Sequence, residues 1–253
     1  MSFEINIREE LIQILGKEWV KDDKVTLYTY QCDGLTLYKS LPMGVVFPGT
    51  VKELVLVVKI LYQKKISFVA RGAGTGLSGG AIPKEGSVII EMARFKKVHD
   101  VNFINRTITV DPGVINLKIS EYVQDKGYHY APDPSSQKAC TIGGNVAENS
   151  GGPHTLKYGV TVNHVLGIEM VLPDGELIEL GGSHFGMPGP DLLGLVIGSE
   201  GTFGIVTKVI CRLTPIPERA VTLLGIYKSV KSACESVSKI IGRGIIPAAM
   251  EML

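Results

Sequence analysis

Apolar positions along the chain alternate between helix-period and strand-period blocks. Residues 5–20 carry a helical pattern that ends near Lys17. Thr50 followed by Glu53 matches a capping box, and Leu54, Val57, Val58 and Leu61 then share one helical face. Residues 66–70 read as a short apolar strand, with further strands expected at 87–91, 98–103 and 106–111. A helix over 116–126 is expected to stop at Gly127, a natural C-cap position. Residues 128–160 are rich in Pro, Ser, Gly and Asn and read as loop. The blocks 164–172 and 176–180 flank Pro173-Asp174-Gly175, a hairpin turn. Asp191 is placed to cap a short helix over 192–196. Residues 203–213 alternate as a strand does, and Pro215 and Pro217 follow. The tail reads as a strand over 221–227 and a helix over 229–241, and ends on Ala-Ala-Met-Glu-Met-Leu. Residues 221–253 are fewer than the roughly 40 that usually fold alone. Either they pack on the main domain or they open a second one whose remainder is absent; the second reading is adopted here.

Composition narrows the function. The 253 residues suffice for one large domain or two small ones. Lys and Arg total 26 against 25 Asp and Glu, a net charge of +1, which argues against holding nucleic acid or anionic lipid by bulk charge. Cys32, Cys140, Cys211 and Cys234 are scattered, with no CxxC motif, and read as thiols of a reducing compartment. The start is charged and lacks a signal peptide's apolar core, and no stretch is long and apolar enough to span a bilayer. A soluble, cytoplasmic protein is expected, peripheral to a membrane only through partner subunits. Glycine is in excess, 30 of 253, about 12% against a usual 7%. With no collagen period, that excess belongs in turns and backbone-lined sites.

Five of those glycines fall in Arg71-Gly-Ala-Gly-Thr-Gly-Leu-Ser-Gly-Gly80. Gly74-x-Gly76-x-x-Gly79 matches a dinucleotide fingerprint, but that reading needs a helix directly after it. Pro83 falls where the helix should run, and a strand follows. The motif therefore joins strand to strand. Such a loop either is a plain tight turn or cradles phosphate through its N–H groups, with Arg71 as an added cation. Three more segments mix glycine with small hydroxyl or amide residues: 132–145, 149–152 and 198–205. Together they suit a long, polar, phosphate-bearing ligand lying across the domain.

These residues resemble a known family. RGAGTGLSGG (71–80), PDPSSQKACTIGGNVAENSGG (132–152), KYG (157–159) and DLLGLVIGSEGTFGIVT (191–207) occur in the order and spacing of the FAD-binding domain of the vanillyl-alcohol-oxidase/PCMH superfamily. Within it they are similar to the FAD-linked subunit of glycolate oxidase and to FAD-linked D-lactate dehydrogenases. YQCDGL (30–35) and PGTVKEL (48–54) fit the same group. The resemblance implies an α+β fold: a PCMH-type FAD-binding domain of two mixed α/β subdomains, plus the start of a truncated cap domain. The divisions implied are an N-terminal helical arm (1–40), the FAD-binding domain (41–218) and an incomplete substrate or cap domain (219–253).

It also implies contacts. Arg71, Gly72, Ala73, Gly74, Thr75, Gly76 and Ser78 would wrap the FAD diphosphate. Pro132, Asp133, Ser135, Thr141, Gly143, Gly144 and Asn145 would follow the flavin and ribityl path. Ser150, Gly151 and Tyr158 would join them, and Glu200, Gly201 and Ile205 would meet the adenosine end or the ribose phosphates. Relatives that tether FAD do so through a histidine in the first loop; Thr75 stands there, so FAD is expected to be non-covalent. The implied reaction passes a hydride from C2 of a small 2-hydroxy acid to flavin N5. Electrons would leave to an iron–sulfur subunit or a quinone rather than to NAD. Family members run to about twice this length, and their HxGDGNxH metal and catalytic motif is absent here. The chain is thus read as part of an enzyme, needing a C-terminal half or a partner subunit. A non-catalytic FAD carrier and another flavoenzyme on the same scaffold are the alternatives.

The remaining candidates have plain readings beside the functional ones. His99, His129, His154, His164 and His184 show no metal-ligand spacing. His154 either approaches the flavin or is a loop histidine. Asp133 is a site contact or part of a rigid Pro-Asp-Pro turn. Cys140 lacks a basic neighbour and reads as an inert thiol.

Overall fold

A computed structural model describes residues 5–183 and 189–252. Helix α1 (Ile5–Leu15) ends at Gly16, whose φ of 89° stops it two residues before the Lys17 expected from the pattern. Strand β1 (Val20–Lys21) and helix α2 (Lys24–Thr29) follow, then strand β2 (Gly44–Val46). Helix α3 (Val51–Gln63) starts where its cap predicts: Thr50 accepts from Glu53 N, while Glu53 Oε2 accepts from Gly49 N. It buries Leu54, Val57, Val58 and Leu61. Strands β3 (Phe68–Arg71) and β4 (Val88–Glu91) complete the first sheet, in the order β1-β2-β4-β3. Strands β2 and β3 both run parallel to β4, and β1 is antiparallel to β2. Every residue of β4 is buried, as expected of a parallel strand covered on both faces. Helices α1 and α3 pack on this sheet through Leu11, Leu54 and Leu61 against Val46, Val88 and Ile90.

The second half builds an antiparallel sheet. Strands β5 (Val98–Asn102) and β6 (Thr107–Val110) form a hairpin, and helix α4 (Asn116–Val123) leads through a 3₁₀ turn to Gly127, left-handed at φ 78°. Strand β7 (Tyr128–His129) comes next. The stretch expected to be loop contains helices α5 (Ile142–Glu148) and α6 (Thr155–Tyr158). Gly143 and Gly144 make α5 a poor helix by local propensity. It forms because Thr141 caps it and Ile142 and Val146 are buried in the second core. The hairpin of β8 (Val165–Val171) and β9 (Leu177–Gly181) turns at Pro173-Asp174 as expected, with Gly175 N bonded to Leu172 O. Helix α7 (Leu192–Val196) is capped by Asp191. Strand β10 (Ile205–Arg212) sits between β6 and β8, so the sheet order is β5-β6-β10-β8-β9. Ile205, Thr207, Val209 and Cys211 of β10 point inward, one residue in two. Strand β11 (Thr214–Pro215) pairs with β7.

Helix α8 (Val230–Gly242) begins at its Ser229 cap, as expected, but no strand forms over 221–227. That run is apolar enough for a strand, but no sheet edge receives it. Leu223, Leu224 and Ile226 are 87–92% exposed. A lone extended segment has no ladder to hold it. The fold class expected from the sequence, α+β with mixed α/β subdomains, is the one observed.

Candidate functional site

The cleft lies between the two sheets. Its interior volume is about 240 Å³, below the roughly 300–1,000 Å³ of an enclosed small-molecule site. A ligand of dinucleotide size would therefore lie partly outside it. Three stretches form the walls: the glycine loop after β3, the start of α5, and the turn between α7 and β10.

The glycine loop contains no helix, and β4 follows it in parallel to β3, so it is not a Rossmann turn. The amides of Ala73 through Leu77 donate to no acceptor among the described residues. A row of backbone donors without partners at a cleft wall suits an anionic ligand. Gly74 has φ 66°, and a Cβ there would collide with the Arg71 guanidinium. That guanidinium is not aimed at the cleft. It donates to Cys32 O (2.9 Å), Ala81 O (3.0 Å) and Tyr30 O (3.5 Å). Gly72 abuts Thr141, so that a Cβ would run into Oγ1 and part the first wall from the second.

On the second wall, Asn145 is 3% exposed and fixed by neighbours. Its Oδ1 accepts from Asn116 Nδ2 (2.9 Å), which also donates to Pro132 O (3.0 Å), and its Nδ2 contacts Cys140 Sγ (3.3 Å). The third wall hangs from α5: Gly198 N donates to Val146 O and Glu200 N to Ala147 O, both at 2.8 Å. Glu200 takes a left-handed φ of 54°, costly for a residue with a side chain and often a mark of function. Its carboxylate converges with that of Glu148: a Cβ on Gly80 would stand 3.1 Å from Glu148 Oε1 and 3.2 Å from Glu200 Oε2. Burial raises the Glu148 pKa, and the charges of Glu200 and Asp33 raise it further, against a lowering bond from Ser78.

Of the residues expected at the site, Arg71, Gly72, Ala73, Gly74, Thr75, Gly76, Thr141, Gly143, Gly144, Asn145, Ser150, Glu200, Gly201 and Ile205 line the cleft. Ser78, Pro132, Asp133, Ser135, Gly151 and Tyr158 do not. Ser135 is exposed. Asp133 and Tyr158 belong to an adjoining polar cluster instead. There Asp133 Oδ2 lies 2.6 Å from His154 Nδ1, and the Tyr158 ring lies 6.4 Å from His154 and 5.9 Å from His129. Burial lowers the pKa of His129 and of His164, whose Nε2 meets Tyr158 O at 2.8 Å. Glu148, Ser136, Pro112 and Met92 also line the cleft and were not anticipated. Glu148 had a signal only for a reader who saw α5; Pro112 and Met92 had none. Among the described residues, no three His, Cys, Asp or Glu groups gather as for a metal, and His184 lies outside them.

A glycine loop whose amides find no acceptor among the described residues, on the wall of a cleft between two sheets, is the arrangement expected of a nucleotide-type cofactor domain. A family profile described as "FAD binding domain" matches residues 42–181, and the chain belongs to that PCMH-type family. It is 48% identical to the "Glycolate oxidase subunit GlcD" of Escherichia coli (strain K12), over 88% of this chain and 45% of that protein. It is 33% identical to the "D-lactate dehydrogenase" of Anaerostipes hadrus, over 97% and 52% respectively. The structure of an alkyldihydroxyacetonephosphate synthase superposes with a TM-score of 0.85 over 98% of this chain and 47% of that one; at 22% identity this speaks for the fold alone. The chain spans about half the length of the curated relatives it matches. The residues present fit FAD: the free amides suit its diphosphate, and Glu148 and Glu200 offer acceptors to ribose hydroxyls.

Proposed function

We propose that this chain is the FAD-holding half of a flavin-dependent 2-hydroxy-acid dehydrogenase of the glycolate or D-lactate type. The observation that carries the reading is the row of amides from Ala73 to Leu77, without acceptors among the described residues, on the wall of an FAD-family cleft. The names of the relatives supply the substrate class. In this reading bound FAD would supply the two-electron oxidation of the substrate's C2–H bond, and an iron–sulfur partner or quinone would be the final acceptor. The chain's own residues do the holding. The amides of 73–77 face the diphosphate, Gly143 and Gly144 let the ligand approach α5 closely, and Glu148 and Glu200 meet a ribose. Thr75 offers no nucleophile of the histidine kind, so FAD is held without a covalent bond. Residues 219–253 open a cap domain whose remainder a further half or a partner chain supplies. Their apolar side chains at Leu223, Leu224 and Ile226 are left in solvent, and the relatives are about twice as long. Among the described residues no helix is long and apolar enough to cross a membrane.

The half-length match also favours a second reading, a carrier module that turns over nothing alone. Both are tested on the purified chain loaded with FAD and desalted. A retained visible flavin band supports the cleft as the dock; a colourless, folded protein overturns it. Bleaching of that band by glycolate or D-lactate, with an artificial acceptor restoring it, separates the dehydrogenase from the carrier.

A further inference from the structure

Residues 30–35, Tyr-Gln-Cys-Asp-Gly-Leu, line no part of the cleft. They run along the back of the glycine loop and bind it at three places. Gly34 N donates to Gly76 O at 3.0 Å. Asp33 Oδ2 accepts from Gly79 N at 3.0 Å, while its Oδ1 accepts from Leu35 N and so holds the turn of the strap itself. Arg71 fastens both ends, donating to Tyr30 O and Cys32 O on the strap and to Ala81 O beyond the loop. Asp33 and Arg71 are 5% and 8% exposed. Gly34 sits so close that a Cβ would stand 2.8 Å from Thr75 O and 3.1 Å from Gly76 O.

The consequence follows from peptide geometry. In a planar trans peptide the C=O and N–H point in opposite directions. Gly76 O is turned toward the strap, so Leu77 N–H is turned toward the opposite side, where both residues line the cleft. Thr75 O also lies against Gly34, which turns Gly76 N–H the same way. Neither amide donates to an acceptor among the described residues. Two successive amides facing one side are the unit of an anion nest.

We propose that residues 30–35 are a positioning strap: by engaging the carbonyls of the glycine loop, they hold the amides of Gly76 and Leu77 toward a dinucleotide's diphosphate. Asp33 and Gly34 are its positioning residues. The proposal rests on the reading of this loop as the diphosphate cradle. It gives the Asp33 charge a place behind the loop, where it accepts hydrogen bonds, and the Gly34 site a reason to carry no side chain.

The test uses the 15N-labelled full chain. In the wild type, FAD shifts the amide resonances of Gly76 and Leu77. Gly34→Ala and Asp33→Ala, folded by circular dichroism, bind FAD about tenfold or more weakly, as expected when charge-assisted bonds lose alignment. Asp33→Asn keeps one acceptor oxygen and falls between. Riboflavin, which lacks the diphosphate, separates positioning from general damage: its affinity is unchanged in the variants if the strap acts on the cradle. Equal losses of FAD and riboflavin overturn the proposal. So does FAD affinity at the wild-type level in both variants, when FAD still moves the two amides in the wild type; the cradle reading then stands without the strap. If FAD leaves those amides unmoved, or does not bind, the cradle reading falls and the strap with it. Should an alanine variant fail to fold, Asp33→Asn decides by the same FAD-against-riboflavin comparison.

Discussion

Gly76→Glu is the sharpest perturbation of the cleft. Gly76 has no left-handed φ, so any residue fits its backbone. A Cβ there would meet only Glu148, with Oε1 at 3.6 Å, an ordinary contact. Alanine is therefore tolerated, and the effect of glutamate is one of bulk and charge. Its carboxylate would enter the cleft beside Glu148 and before the free amides. Two unit charges 5 Å apart interact by about 1 kcal/mol in water-like surroundings and about 3 kcal/mol at an effective dielectric of 20. The loop is half-exposed, so about 1–2 kcal/mol per pair is the fitting range. Against the two charges of a diphosphate the sum is about 3 kcal/mol, or roughly a hundredfold in Kd. The assay is quenching of FAD fluorescence on titration with wild type, Gly76→Ala and Gly76→Glu, each checked for native circular dichroism. The expected order is wild type and alanine together, glutamate roughly a hundredfold weaker. Stoichiometric FAD on folded Gly76→Glu would refute the placement of the diphosphate at this loop.

Other expectations follow from the same geometry. Glu91, 5% exposed at the end of β4, has its pKa pushed by burial to about 7, with Arg71 opposing. A carboxyl raised in the folded state contributes stability that is fully present below the unfolded value near 4.5 and is lost as pH rises through about 7. Urea melts should thus show wild-type stability falling across that window by up to about 3 kcal/mol, and Glu91→Gln should flatten the fall; an unchanged slope in the variant refutes the assignment. Glu148 is likewise raised, so its ionisation on going upward in pH adds a repelling charge to the cleft; FAD should bind more weakly as that happens, and Glu148→Gln should remove the dependence. Gly72→Ala should lower stability by about 1–3 kcal/mol through the clash with Thr141 Oγ1, and adding Thr141→Ala should recover part of it despite the lost cap, as read from thermal melts. Cys234 is exposed, while Cys211 is buried with its thiol pKa pushed far up; a maleimide under native conditions should label the first and spare the second, as peptide mass mapping would show.

What the sequence disclosed was mostly local. The Thr50 cap and the face of Leu54, Val57, Val58 and Leu61 are set by neighbours three and four residues away, and both stand in α3. The rejection of a Rossmann turn rested on one proline and one short strand, and holds. Features made across the chain were not legible. The bonds from Arg71 and Asp33 to the strap and loop join residues 39–46 apart. Helix α5 defies its own glycines because burial of Ile142 and Val146 outweighs their propensity cost. With α5 unseen, Glu148 had no reason to be placed opposite Glu200. The six expected residues that lie outside the cleft were not separable from the rest in sequence for a related reason. The motif 132–152 is continuous in sequence, but it folds around Asn116, so Asn145 faces the ligand wall while Asp133 turns to His154.

The tail shows the same limit from the other side and yields one more test. Residues 221–227 have a strand's composition, yet a strand is a property of a pair. Every hydrogen bond made by the described residues from 217 to 252, apart from Ile216 N to Gly127 O just before them, stays within that segment. No residue of α8 is buried. A chain cut after Pro217 should therefore lose almost none of the two cores. Its melting temperature should stay within a few degrees of the full chain, since about 1 kcal/mol moves a domain of this size by roughly 2–4 °C. Its FAD affinity should be unchanged, because no tail residue lines the cleft. Removing Leu223, Leu224 and Ile226 from solvent should also reduce self-association at high concentration, as seen by light scattering. A large fall in melting temperature would show that the tail packs on the FAD-binding domain in solution, and would overturn its reading as the opening of a separate cap.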